Sequence, residues 1–169
     1  MDAFECIATK LDVKDFSLKE VPTEVKKKIL EAARLTGSGR NLQHWQFVLV
    51  QDPENLKKVA DASITGKWVA GANFAILLLT DPKYNFHLID AGRVLQDMQL
   101  AAWNYGVGSR FYTGSDKEAM SRYFNLPTDM SLAAVLGFGY PAQRIRGKKD
   151  RKPLADLVHS EKYGQRLAL

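Results

Sequence analysis

Cysteine is almost absent: Cys6 is the single one in 169 residues, so an internal disulfide is excluded and a reducing, cytoplasmic setting is expected. Long apolar runs are absent too, with no window approaching the roughly 18 uninterrupted apolar residues that span a bilayer, so no membrane partner is expected. Residues 1–11 intersperse Asp2, Glu5 and Lys10 among apolar positions and lack the basic-then-apolar order of a secretion signal. Histidine is scarce, and His44, His87 and His159 are too scattered to form a metal site on spacing alone. Repeats, low-complexity runs and linkers are missing. What remains is one domain over residues 1–169, long enough to bury one good core and short for two.

Positive charge is present in excess, at +5 net. The basic residues are scattered, and the densest cluster (Arg144, Arg146, Lys148, Lys149, Arg151, Lys152) carries neither zinc-finger spacing nor an aromatic RNA-binding signature, which argues against nucleic acid. A solvated basic tail is the plain reading of that cluster. A site for an anionic phosphate ligand is the sharper one.

Periodicity divides the chain into helices and strands. Phe4, Ile7, Ala8 and Leu11 follow helical spacing, with Cys6 beside that face as a buried structural cysteine. Pro22 opens a second helix with Val25, Ile29, Ala32 and Ala33 on its apolar face. Phe47–Val50 reads as a buried strand, and Asp52-Pro53 starts a helix with Leu56, Val59 and Ala60 inward. Phe74–Leu79 reads as a central strand buried on both faces. The longest helix runs from about His87 to Tyr105 with Leu88, Ala91, Leu95, Met98 and Ala102 on one stripe. Gly106-Val107-Gly108 leads into another strand, Ser115-Asp116-Lys117-Glu118 has the form of a capping box, and Ser131–Gly139 is a last apolar strand. Core burial is expected for Trp68.

Between the second helix and the first strand stands Thr36-Gly37-Ser38-Gly39-Arg40-Asn41-Leu42-Gln43-His44-Trp45. Two glycines so close to a helix face are hard to explain as packing, because glycine costs entropy on folding and buries no side chain. They suit a loop whose backbone approaches a ligand closely, with Ser38, Arg40, Asn41 and Gln43 as hydrogen-bonding groups and Trp45 closing the loop onto the core. A helix C-cap at Gly37 followed by an ordinary polar connection is the alternative.

The small-residue turn followed by Asn-x-Gln-x-Trp-x-Phe and a strand resembles the FMN-dependent nitroreductase family. Further pieces recur in the family's order: Lys10-x-Asp12-x-Lys14-x-Phe16, Gly106-Val107-Gly108 with a strand ending at Thr113-Gly114, Gly139-Tyr140-Pro141, Lys149-Asp150-Arg151-Lys152-Pro153, and Val158-His159. The resemblance implies an α+β fold with a central, mostly antiparallel sheet of four strands flanked by helices. It also implies a C2 homodimer with exchanged C-terminal tails and FMN bound across the interface. Carried onto this chain, it assigns Lys10, Lys149 and Arg151 to the phosphate and Lys14 to the pyrimidine edge. Asp12 stands where a serine is common, and a carboxylate there needs a lysine partner or backbone donors. Ser38, Gly39, Asn41 and Gln43 are assigned to the cofactor, and the Gly114 backbone N–H, beside Thr113, to flavin N5; Arg40 replaces the smaller residue usual in the family and is expected to contact FMN or the nicotinamide donor. The family usually has Pro where this chain has His44. Larger members insert a helical excursion where only residues 81–86 intervene here, which implies a more open pocket.

The implied activity is an FMN-dependent NAD(P)H oxidoreductase, with NADH or NADPH as donor and a nitroaromatic, quinone or similar small organic acceptor, by ping-pong transfer. The alternatives are another reaction of the same superfamily, such as flavin fragmentation or dehalogenation, or a flavin-binding or basic interaction protein without turnover.

Overall fold

The computed structural model describes residues 1–167. Short polar residues start its helices where the sequence supplies them. Asp2, Asp52 and Asp116 each accept a hydrogen bond from the backbone N–H three residues on, at 2.8, 3.0 and 3.0 Å, and so open α1 (Ala3–Thr9), α3 (Pro53–Asp61) and α5 (Lys117–Phe124). Helix α2 (Thr23–Leu35) follows Pro22, and α4 (His87–Asn104) is the longest.

Strands β1 (Trp45–Val50), β2 (Phe74–Thr80), β3 (Gly108–Tyr112) and β4 (Ser131–Gly139) form one sheet in the order β1-β2-β4-β3, with every neighbour antiparallel. Alternation along β2 divides the core in two. Phe74, Ile76 and Leu78 face α2 and α4, packing with Ile29, Ala33, Val94 and Met98, whereas Ala75 and Leu77 face α3 and α5 with Val59 and Met120. The predicted central strand is therefore covered on both sides, and all seven residues of β2 are buried. Phe74 and Phe138, partners in register, stack at 4.8 Å between ring centroids.

Several expectations are corrected. The first strand starts at Trp45 rather than Phe47, and as an edge strand it leaves Gln46 and Leu49 exposed. In α1 only Cys6 is buried. Phe4 and Ile7, on the apolar face, are 78% and 47% exposed because the short helix turns that face away from this chain's core. Leu88 is likewise exposed although it lies on the apolar stripe of α4. Asp116, not Ser115, caps α5, and Trp68 is half-buried, set between Phe16 and Tyr112. No helix is long and apolar enough to cross a membrane among the described residues.

Phe138→Ala is expected to destabilise the fold by about 3–5 kcal/mol in urea denaturation, while Leu18→Ala, at a fully exposed position, stays within about 0.5 kcal/mol of the parent.

Candidate functional site

The predicted site residues lie along the two edges of the sheet, with the two largest groups at opposite corners and Thr113 and Gly114 farther along the β3 edge. The first gathers where β3 begins. Residues 12–13 run beside that edge: Asp12 bridges Ser109, and Val13 N–H donates to the Ser109 carbonyl at 3.1 Å. A β-carbon at Gly108 would lie 2.7 Å from Val13, and one at Gly139 would lie 2.9 Å from the Phe16 ring, so these paired glycines let the segment cross the sheet end closely. The crossing buries Lys10, whose ammonium donates to Asp12 Oδ1 at 2.5 Å. Asp12 thus has the lysine partner its position requires. Lys14 lines a groove of about 350 Å³ with Asp12, Asp15, Pro141, Gln143 and Arg146. Lys149 donates to the Ile7 carbonyl, within one helical turn of Lys10. Arg151 is exposed and donates locally, to the Asp150 carbonyl at 2.7 Å.

Farther along the same edge, past the end of β3, lie Thr113 and Gly114. The Gly114 carbonyl accepts from Ile64 N–H at 2.8 Å, and Ser63 bridges Ser115, which docks the turn on the segment after α3. Among the described residues the Gly114 N–H meets no acceptor. A β-carbon at Gly114 would sit 3.0 Å from Thr65 Oγ1.

The second group is the α2–β1 loop. Ser38 Oγ accepts from Gln43 N–H at 2.9 Å, and the Gln43 amide donates to the Asn41 carbonyl at 3.2 Å. Arg40, Asn41 and Gln43 all have left-handed backbone, with φ of 54°, 56° and 48°. Such conformations are costly outside glycine and persist only where surroundings enforce them. The glycines have a packing role after all: a β-carbon at Gly39 would lie 2.5 Å from the Phe86 ring, and one at Gly37 would lie 2.5 Å from the Arg93 guanidinium. The close approach is to the chain's own α4 end. Trp45 is buried as expected.

Trp45 pairs with Thr80 at one end of the sheet, whereas Ser109 pairs with Phe138 at the other end and on the opposite edge. Strand spacing and rise put the two corners on the order of 25 Å apart.

The sequence matches the nitroreductase family over residues 7–81 and 63–140. The chain belongs to the nitroreductase family. It is 30% identical to a candidate NADH dehydrogenase/NAD(P)H nitroreductase from Methanothermobacter thermautotrophicus, covering 96% of this chain and 88% of the relative. A protein of the same description from Archaeoglobus fulgidus is 28% identical, with 96% and 99% covered. An FMN-dependent nitroreductase from Clostridium difficile R20291 has the same fold, with a TM-score of 0.87 at 22% identity over 95% of this chain and 99% of that one. The family is one of oxidoreductases.

The fold also brings to the two corners residues that no sequence motif marks. Asp90, 2% exposed, sits in the first turn of α4 and takes the Gly39 N–H at 2.9 Å, while His44 Nε2 lies 3.2 Å from the same oxygen. An acidic residue on a core-facing helical position was the available signal. Arg146, not Arg151, shares the groove with Lys14, and no spacing distinguishes the two arginines.

Tyr112 anchors the strand that leads to Gly114. Its ring fills the place of a Gly66 side chain, and its hydroxyl points to the Val59 carbonyl at 3.4 Å. Burial raises its pKa to about 12, partly offset by a hydrogen bond with Ser63. A folded pKa above the unfolded one means that stability is complete below about pH 10 and falls as pH rises toward 12, because the unfolded chain loses the phenolic proton first. Tyr112→Phe is expected to lessen this alkaline loss, by at most about 2–3 kcal/mol, in denaturation curves taken between pH 9 and pH 12.

Proposed function

We propose that this nitroreductase is an FMN-dependent NAD(P)H oxidoreductase working as a C2 homodimer, with each flavin site built from the β3 corner of one chain and the α2–β1 loop of the other. The observation that carries the reading is the separation of the two groups. The lysine group beside the start of β3 and the polar α2–β1 loop, both assigned to the cofactor, stand at opposite corners of one sheet, so a single chain presents two half-sites that a second copy would complete. The exposed apolar side chains agree with a second copy: Phe4 and Ile7 on α1, Leu88 and Ile89 on α4, and Phe111 on β3 are all left uncovered. Residues 142–167 form no strand with this sheet and leave Leu154, Leu157 and Tyr163 exposed, which suits an arm exchanged with the partner.

The donor set fits the cofactor. Lys10, fixed by Asp12, and Lys149 concentrate positive charge for the phosphate, with Arg151 on the same segment able to add a bidentate contact. Lys14 is exposed at the groove rim, free to reach the pyrimidine edge. The Gly114 N–H is a fixed donor that needs no titrating group. Ser38 and Gly39 shape the turn from which Arg40, Asn41 and Gln43 present exposed polar side chains. When bound, FMN would supply the two-electron chemistry, accepting from NADH or NADPH in one half-reaction and giving to a nitroaromatic, quinone or similar acceptor in the other. The chain's own contributions are to orient the ring, hold the phosphate and keep the mouth open. The short segment 81–86 leaves room for acceptors of varied shape.

The test is an anaerobic titration of the FMN-loaded protein with NADH and with NADPH, beside light scattering. Bleaching of the flavin bands and a dimeric mass are expected, and Lys10→Ala should weaken FMN binding roughly tenfold or more. A protein that takes up no FMN, or binds it as a monomer, contradicts the reading.

A further inference from the structure

The Asp90–His44 pair plays no part in the assignments above, yet it encloses a carboxylate and an imidazole together. Both side chains are 3% exposed. A carboxylate so buried is disfavoured unless its oxygens are well used. Here Oδ2 takes the Gly39 N–H at 2.9 Å and faces His44 Nε2 at 3.2 Å, while Oδ1 lies 3.4 Å from Arg93 and the first turn of α4 offers its positive end. Because the carboxylate accepts, His44 donates through Nε2–H, which leaves Nδ1 as the buried nitrogen without a partner. His44 is wedged among Trp45, Tyr84 and Phe86, with ring centroids 5.3–6.1 Å away.

Gly39 and His44 are the two ends of the stretch that contains all three left-handed residues of the loop. One oxygen therefore ties both ends, and Phe86 fills the space beside Gly39. A purely packing role would be served better by an apolar side chain of similar size, without a charge to desolvate.

We propose that Asp90 and His44 are positioning residues of the flavin site, a clamp that holds the 39–44 loop closed so that Arg40, Asn41 and Gln43 keep the left-handed backbone from which they reach the cofactor in the neighbouring chain. The inference rests on the flavin reading. It goes beyond it by assigning the loop's geometry to a carboxylate outside the loop and to a histidine where the resembling proteins usually carry proline.

The experiment compares wild type with His44→Leu, His44→Gln and Asp90→Asn. Gln can place an amide donor near the position of Nε2, and Asn keeps an acceptor for Gly39, so both conservative variants preserve part of the clamp. Amide exchange over residues 38–44 is measured in the flavin-free protein, and FMN affinity by fluorescence titration, with thermal melting as the control for global folding. His44→Leu is expected to speed exchange in this loop alone and to weaken FMN binding about tenfold or more, while His44→Gln and Asp90→Asn stay within about threefold of wild type. Unchanged loop exchange in His44→Leu overturns the clamp. Faster exchange with unchanged FMN affinity overturns its role at the cofactor. Equal losses in His44→Gln and His44→Leu overturn the donor argument and leave only packing. Failure of the flavin reading itself is distinguishable, because there the wild type, not the variant, takes up no FMN.

Discussion

With β2 and β4 in the middle of the sheet, β1 and β3 are forced to opposite edges, and every group suited to FMN is attached to one edge or the other. Strand order is thus the constraint on which the proposed function depends. It follows from burial: Phe74–Thr80 and the C-terminal two-thirds of β4 are apolar on both faces and must be covered by helices above and below. The edge strands carry the mixed pattern that tolerates solvent or a neighbour, as Gln46, Leu49, Arg110 and Phe111 show. A single chain folded this way has a complete core, and in the proposed dimer its two corners are half-sites. The same outward turn of α1 and of the first turn of α4 leaves Phe4, Ile7, Leu88 and Ile89 bare, the apolar surface on which the proposed second copy would rest.

At each corner the chain accepts a local cost to fix a polar group. At the β3 corner Lys10 is buried, and its charge is answered by Asp12 two residues away. At the β1 corner three non-glycine residues stand in the left-handed region, held by a buried carboxylate and an aromatic ring. Placing these costs beside a rigid sheet end gives a fixed array of donors, which is what binding a planar cofactor without large rearrangement requires.

Much of this was legible in the sequence because the signals are local. The helix start at Asp52, the continuous run of β2 and the period of α4 all act within a few residues of themselves, and the structure follows them closely, with the α5 cap one residue later than the Ser115 box implied. The motif order gave the family for the same reason. What pattern reading missed depends on contacts between distant segments. Gly37 and Gly39 looked available to a ligand, but Arg93 and Phe86, about fifty residues on, occupy the space beside them. No local motif marks Asp90, and only the fold brings it to Gly39 and His44. The apolar faces of α1 and of the start of α4 were readable as faces, though not as faces turned away from the chain's own core.

The central claim, that each flavin site takes one corner from each of two chains, is tested most directly by mixing two variants, each deficient alone. One chain carries Lys10→Ala and Lys14→Ala at the β3 corner, and the other carries Asn41→Ala and Gln43→Ala in the α2–β1 loop. In a heterodimer with shared sites, one site combines both altered corners and the other combines both intact ones. FMN binding of wild-type affinity should therefore return after mixing and refolding, at one flavin per heterodimer. If each site were confined to a single chain, every site in the mixture would keep one altered corner, and no binding of wild-type affinity would reappear.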